Sequence, residues 1–291
     1  MRRALVVFLS LGVSLSACQV VGGFEDFAGG GGASGAGGSA GATGGGAGTG
    51  GGAGAAGCPA EVDPGLHGAP MVQWKRPDGS CLWVDTTEAT VSEYQEFLAA
   101  APSAQSGVCA WNVAAADAGA PPASGPAPGF AINDTCLGST PVETLPVTCV
   151  DWCDAQAFCL WAGKELCGDS TTALDDAAQS DWYAVCSANG GNEYPYGANY
   201  KGDACNGADA NKASPAAPGT FTACSTAASV FDLTGNVSEW TGACSQNTED
   251  GPCQVRGGSY GSSAQQLECA HAEVITRKQT APTRGFRCCH E

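Results

Sequence analysis

The sequence predicts a single α+β domain with few helices, short strands and much irregular chain. Three stretches carry the apolar spacing and capping residues of helices, while the segments between and after them break into short apolar pieces punctuated by Gly, Asn and Pro. Seventeen cysteines add the covalent support on which loop-rich exported domains depend.

Taken in order, Leu82 to Val84 reads as a short strand. Thr90-Val91-Ser92-Glu93 has the form of a capping box, in which side chains and free amides satisfy one another, and predicts a helix to about Ala100. Its inward face is Val91, Tyr94, Phe97 and Leu98, and Pro102 stops it. Ser103 to Thr140, rich in Ala, Pro and Gly, reads as an irregular surface loop partly held by Cys109 and Cys136. A second helix is expected from Trp152 to Ala162, with Asp151 as N-cap, Gly163 as left-handed C-cap and Ala155, Phe158, Cys159 and Ala162 on one face. A third runs from about Ala177 to Ala188 with Trp182, Val185 and Cys186 inward. Beyond Asn189-Gly190-Gly191 the pattern implies many turns and little regular structure.

The ends set the address. MRRALVVFLSLGVSLSAC places Arg2 and Arg3 before an apolar run of about twelve residues, an export signal too short to span a bilayer. Leu15-Ser16-Ala17-Cys18 resembles a bacterial lipobox, which makes residues 1–17 a lipoprotein signal and Cys18 the lipidated N-terminus. An ordinary signal peptide cut after Ala17 is the alternative. Gln19, standing where an aspartate would retain the protein at the inner membrane, favours the outer membrane. Residues 18–57 form the anchor and a Gly/Ala-rich tether whose composition cannot offset the entropy of ordering. About 30 such residues reach roughly 30 Å, and residues 58–291 remain as the domain.

The chain carries 29 acidic against 12 basic residues, a formal net charge of −17. Such a balance argues against nucleic acid as a partner, because phosphate contacts need clustered Lys and Arg. It suits calcium, although solubility is the commoner reason for surplus acid. With Cys18 set aside, sixteen of the seventeen cysteines remain, an even number that fits up to eight disulfides in an oxidising compartment. Zinc is the rival use of these thiols, but Cys149 and Cys153 have no matching second pair, and only His67, His271 and His290 are available.

The stretch VFDLTGNVSEWTGAC, Val230 to Cys244, sets Asp232, Gly235, Asn236, Glu239 and Trp240 close together. Calcium takes six to eight hard oxygen ligands, and a glycine lets the chain bend around the ion. The residues alone leave two readings open, a metal loop or a Gly-Asn turn with Trp240 filling the core.

Six blocks, WVDTTEATVSEYQEFL, LPVTCVDWCDAQAFCLWAGKEL, YPYG, FDLTGNVSEWT, VRGGSY and RGFRC, occur between Leu82 and Cys289 in the order seen in the formylglycine-generating enzyme family, also called sulfatase-modifying factors. The resemblance implies a compact variant of the C-type-lectin fold. It implies calcium held by Asp232 and Glu239 through side chains and by Gly235 and Val237 through carbonyls, with Asn206 and Gly207 resembling the start of a second site. It also implies disulfides joining Cys159 to Cys288 and Cys186 to Cys269; the other cysteines stay unassigned.

The resemblance breaks at catalysis. Family enzymes bind Cu(I) through two thiolates, soft ligands for a soft ion, and use oxygen to convert a substrate cysteine into formylglycine. Here Ser262 stands at the first thiol position, and Gly261 to Glu268 contains no cysteine. A neutral, hard hydroxyl cannot replace a thiolate, so copper is not expected. Three scattered histidines do not build the iron-binding bundle of another branch, and Ser259 lacks the glycine frame of a nucleophile elbow. The expectation is a lipid-anchored, calcium-holding binding or structural module for a protein, peptide or glycan. Its alternative is a formylglycine-type oxidoreductase, or a non-haem iron relative, using non-standard residues.

One outcome follows from the leader alone. Cys18→Ala should abolish detergent-phase partitioning and leave the precursor unprocessed or released; unchanged membrane association would overturn the lipoprotein reading.

Overall fold

In the computed structural model, which describes residues 58, 65–103, 105–112, 128–168, 174 and 180–291, the chain opens with an antiparallel hairpin. Strand β1 (Met71–Lys75) pairs with β2 (Cys81–Asp85). The leader, Cys18 and the tether lie outside the described residues. Helix α1 (Val91–Ala99) follows, and both bonds of its capping box are present: Thr90 Oγ1 accepts from Glu93 N, and Glu93 accepts from Thr90 N. Val91, Tyr94 and Phe97 are buried as the spacing predicts.

The predicted surface loop is described only in part, and part of it is core. A short helix α2 (Asp134–Leu137) forms there. Phe130 is fully buried, and its carbonyl accepts from the Tyr94 hydroxyl at 2.8 Å. Helix α3 (Trp152–Trp161) has the expected Asp151 cap, and Gly163 closes it at φ 75°. Strand β3 (Glu165–Leu166) precedes α4 (Asp181–Cys186), which is shorter than the third predicted helix, whose first residues fall outside the described set.

The remainder departs from expectation. Five strands form where little regular structure was predicted: β4 (Ser238–Cys244), β5 (Pro252–Arg256), β6 (Ala272–Thr276), β7 (Arg284–Phe286) and β8 (Cys288–His290). They pair into two four-stranded sheets, ordered β1-β2-β8-β3 and β6-β5-β4-β7. The pattern was hard to read because β4 and β5 are buried on both faces, so the apolar/polar alternation of a half-exposed strand is missing. Trp240 and Val255 face one core, whereas Glu239 and Arg256 are buried polar residues on the same strands.

Two apolar clusters result. One gathers Tyr94, Phe97, Phe130, Phe158, Trp240 and Phe286, with ring centroids 5.2–6.4 Å apart among Tyr94, Phe97, Phe158 and Phe286. The other gathers Leu82, Val84, Trp182, Val185, Val230 and Leu233. Neighbouring residues on a strand point to opposite faces, and the last strand uses this twice. Cys288 joins Cys159 of α3 in the first core, and Cys289 joins Cys167 in the second.

All sixteen cysteines from Cys58 onward are paired. Cys186 bonds Cys269, so this bridge and Cys159–Cys288 are the two pairs that the family resemblance implies. Cys58–Cys81, Cys109–Cys153, Cys136–Cys149, Cys205–Cys224 and Cys244–Cys253 complete the set with Cys167–Cys289. Cys149 and Cys153, the pair with a possible metal reading, are thus bound to separate partners.

The denatured, unreduced mature protein should therefore release essentially no thiol to a colorimetric titrant. Removing the Cys159–Cys288 bridge, which closes a loop over a separation of 129 residues, should cost about 2–5 kcal/mol in denaturant unfolding. Several free thiols would contradict the pairing.

Candidate functional site

The loop between Phe231 and Trp240 is built on a backbone that few residues tolerate. Asp232 and Asn236 both sit at φ 56°, and Gly235 at φ 79°. A Cβ on Gly235 would lie 2.6 Å from the Asn206 carbonyl oxygen. The Gly-Asn pair is therefore required by close approach of the Asn206 backbone as well as by the turn itself.

Asn236 is the hub that the sequence reading passed over. Its Oδ1 accepts from Asn206 Nδ2 at 3.0 Å and from Ala216 N at 2.8 Å; its Nδ2 donates to Glu88 Oε1 at 3.0 Å and to the Ala216 carbonyl at 3.2 Å. Its amide donates to the Asn206 carbonyl, and its carbonyl accepts from Tyr260 N. One residue thus ties the loop through its side chain to Glu88, Asn206 and Ala216 and through its backbone carbonyl to the chain leading into Ser262.

The two predicted acids have different surroundings. Asp232 Oδ2 accepts from Gly219 N. Both oxygens of Glu239 are engaged: Arg287 Nε and Nη2 approach to 2.7–3.0 Å, and Trp182 Nε1 donates at 2.6 Å. Arg287 also donates to the carbonyls of Asp85 and Phe231. Glu88, unremarked in the sequence, is fully buried, and its Oε2 has no hydrogen-bond partner. Three buried carboxyl groups therefore surround one guanidinium. Burial pushes the Asp232 pKa up to about 6, with the neighbouring Glu239 charge adding to the rise and the Gly219 amide and Arg287 opposing it. Burial, followed by the charge of Asp232, holds Glu88 well above the ordinary range.

A calcium fits this setting in part. The site carries surplus negative charge, and no described group donates a hydrogen bond to the buried carbonyls of Asp232, Gly235 or Val237. Glu239 fits less well, since Arg287 and Trp182 already take its oxygens. At the second predicted position, Asn206 Oδ1 is buried without a partner, whereas the Gly207 carbonyl already accepts from Ala210 N at 3.1 Å. Among the described residues, no group of three or more His, Cys, Asp or Glu side chains is arranged to hold a metal without help from carbonyls.

Ser262, which the sequence resemblance sets at the first thiol position, is bound into a turn. Its Oγ accepts from Ser259 N at 2.9 Å, and its carbonyl accepts from Ala208 N at 3.0 Å. Close in sequence, Tyr260 lines a cavity of about 260 Å³ with Val91, Leu145, Pro146, Pro215 and Pro282.

Few helices, two small sheets and many disulfides define a sulfatase-modifying-factor type of domain. A family model described as "Sulfatase-modifying factor enzyme 1-like domain" matches residues 50–291, and the chain belongs to that family. It is similar to "Inactive C-alpha-formylglycine-generating enzyme 2" of Bos taurus, 28% identical over 159 residues; the match spans 50% of this chain and only half the length of that relative. Among solved structures, PvdO from Pseudomonas aeruginosa is 18% identical at TM-score 0.49, covering 78% of this chain and 90% of that one. CarF is 16% identical at TM-score 0.46, covering 77% and 96%.

A carboxyl group whose folded pKa lies above its unfolded value stabilises the fold only while protonated. That contribution is complete below about pH 4 and is lost as the pH rises through about 6. The metal-free protein should accordingly resist urea better near pH 5 than near pH 7, by about 1 kcal/mol or more. Arg287→Met, which strands three carboxyl groups, should cost about 3–5 kcal/mol at neutral pH and less near pH 5. A pH-independent loss would show that the guanidinium acts only through packing.

Proposed function

We propose that this chain is an exported, lipid-anchored member of its family that has left the copper chemistry behind and serves as a calcium-stabilised binding or structural module. The cysteine pairing is the observation that carries this reading. A Cu(I) site needs two free thiolates, yet every cysteine from Cys58 onward is spent in a disulfide, and Ser262 spends its hydroxyl on the Ser259 turn. The name of the Bos taurus relative, an inactive enzyme, suits the same reading.

Calcium, when bound, would supply positive charge to a site with three buried carboxyl groups and one arginine. Asp232 and the carbonyls of Gly235 and Val237 would hold it, with Glu239 contributing charge from its place beside Arg287. Asn206 Oδ1 is the free donor of the second position, beside Gly207. The cavity beside Tyr260, walled largely by prolines and aliphatic side chains, offers room for an apolar segment of a protein, peptide or glycan ligand. The tether would present this surface off the outer membrane, with lipid on Cys18 as the membrane contact and no role for nucleic acid.

Metal analysis and thermal unfolding together test the reading. The purified protein should contain calcium and no stoichiometric copper or iron. Added calcium should raise stability by about 2.7 kcal/mol at a hundredfold excess over Kd. Asp232→Ala should remove most of that increment. Ser238→Ala loses a hydroxyl that donates to the Thr283 carbonyl, so it should lower the baseline and keep the increment. Tightly bound copper would revive the oxidase, and indifference of both wild type and Asp232→Ala to chelation would remove calcium.

A further inference from the structure

On the outer side of α3, away from the Asp232 loop, lies a cavity of about 480 Å³ walled by Trp152, Gln156, Ser245, Gln246, Asn247 and Arg277. Arg277 is only 2% exposed. Its guanidinium lies 4.9 Å over the Trp152 ring, while Nε donates to the Gly251 carbonyl and Nη2 to that of Gln246. Nη1 donates to no described group, and no described carboxylate pairs with the side chain; burial is the sole influence on its pKa, which it lowers.

Burying a cation without a counter-charge is costly, and this one is oriented by two carbonyls and an indole face. Such a fixed guanidinium, with a donor to spare on a cavity wall, is pre-organised to receive a carboxylate. The other wall limits what else can enter. Glu165 also lines the cavity, and its carboxyl is pushed up by burial and by the charges of Glu291 and Asp181. A second negative charge on the ligand would meet that carboxyl. Gln156, Ser245 and Asn247 carry the paired donors and acceptors that match hydroxyl or amide groups.

We propose that this cavity binds a small organic monocarboxylate, its carboxylate seated on Arg277 and its polar groups on Gln156, Ser245 and Asn247. The site is independent of the metal loop and of the cavity beside Tyr260, so its fate does not depend on either.

Titration calorimetry of the full mature protein with acetate, lactate and galacturonate, against methyl galacturonate and inorganic phosphate, tests the assignment. Saturable binding of at least one carboxylate is expected, with galacturonate tightest; its methyl ester and phosphate should be weaker by about tenfold or more, the worth of a charge-assisted hydrogen bond. Arg277→Gln should weaken the carboxylate similarly and leave the ester unchanged. Since Arg277 also braces two carbonyls, Asn247→Asp provides a second route: it adds negative charge at an exposed position on the same wall and should selectively weaken the acid. Absence of saturable heat with all three carboxylates, equal binding of acid and ester, equal binding of phosphate, or undiminished binding in both variants that fold would each overturn the proposal.

Discussion

The fold turns on one buried ion pair. Arg287 and Glu239 are both fully buried and in bidentate contact. Arg287 sits between the two last strands and also donates to carbonyls at the end of β2 and at Phe231; Glu239, on the central strand of the other sheet, takes the indole N–H of Trp182 from α4. A single contact thus joins both sheets, the Gly-Asn loop and the helix of the second core. A buried pair of this kind adds little net stability over an apolar replacement, yet losing one partner is expensive. Its energetic weight therefore lies in what is lost when one partner is removed.

Around that pair the chain has few conventional resources. Among the described residues its sheets have four short strands each and its helices ten residues at most, and glycine accounts for 43 positions of the sequence. Disulfides make up the difference by restricting the unfolded chain, most strongly where the closed loop is long. Cys288 and Cys289 each bind a partner more than a hundred residues earlier and fasten the C-terminal strand into both cores. This use of cysteine has a chemical consequence, because a thiol in a disulfide is unavailable to copper. The covalent frame and the absence of a thiolate pair are two sides of one allocation.

The candidate site was legible where its residues are neighbours. Asp232, Gly235 and Glu239 lie within one short motif, and the structure places the first two on a loop that Asn206 closely approaches and Glu239 on the strand β4 that the loop leads into. Glu88, Trp182 and Arg287 were not legible as parts of it, because they come from positions 148, 57 and 48 residues away from the loop residues they touch. The remaining clues were slight: a glutamate three residues past the end of a buried strand, and an arginine between Phe286 and Cys288 where an apolar residue would ordinarily sit. Nothing local marks Asn236 as a hub either, since its partners Glu88, Asn206, Ala216 and Tyr260 come from separate segments that only the fold brings together.

By itself the sequence determined what short-range chemistry controls. The capping box at Thr90 and the cap at Asp151, the inward face of α1 and the left-handed turn at Gly163 all follow from residues within a few positions of one another, and the family follows from the order of short blocks that need no tertiary contact to be read. The tertiary structure alone decided the five C-terminal strands, six of the eight disulfide pairings, and the commitment of Glu239 to Arg287. Strand pairing and cysteine partnering are contests between distant segments, and a strand buried on both faces shows no alternation to betray it. The charge of a carboxylate is written in the sequence, but the cation that answers it is chosen by the fold.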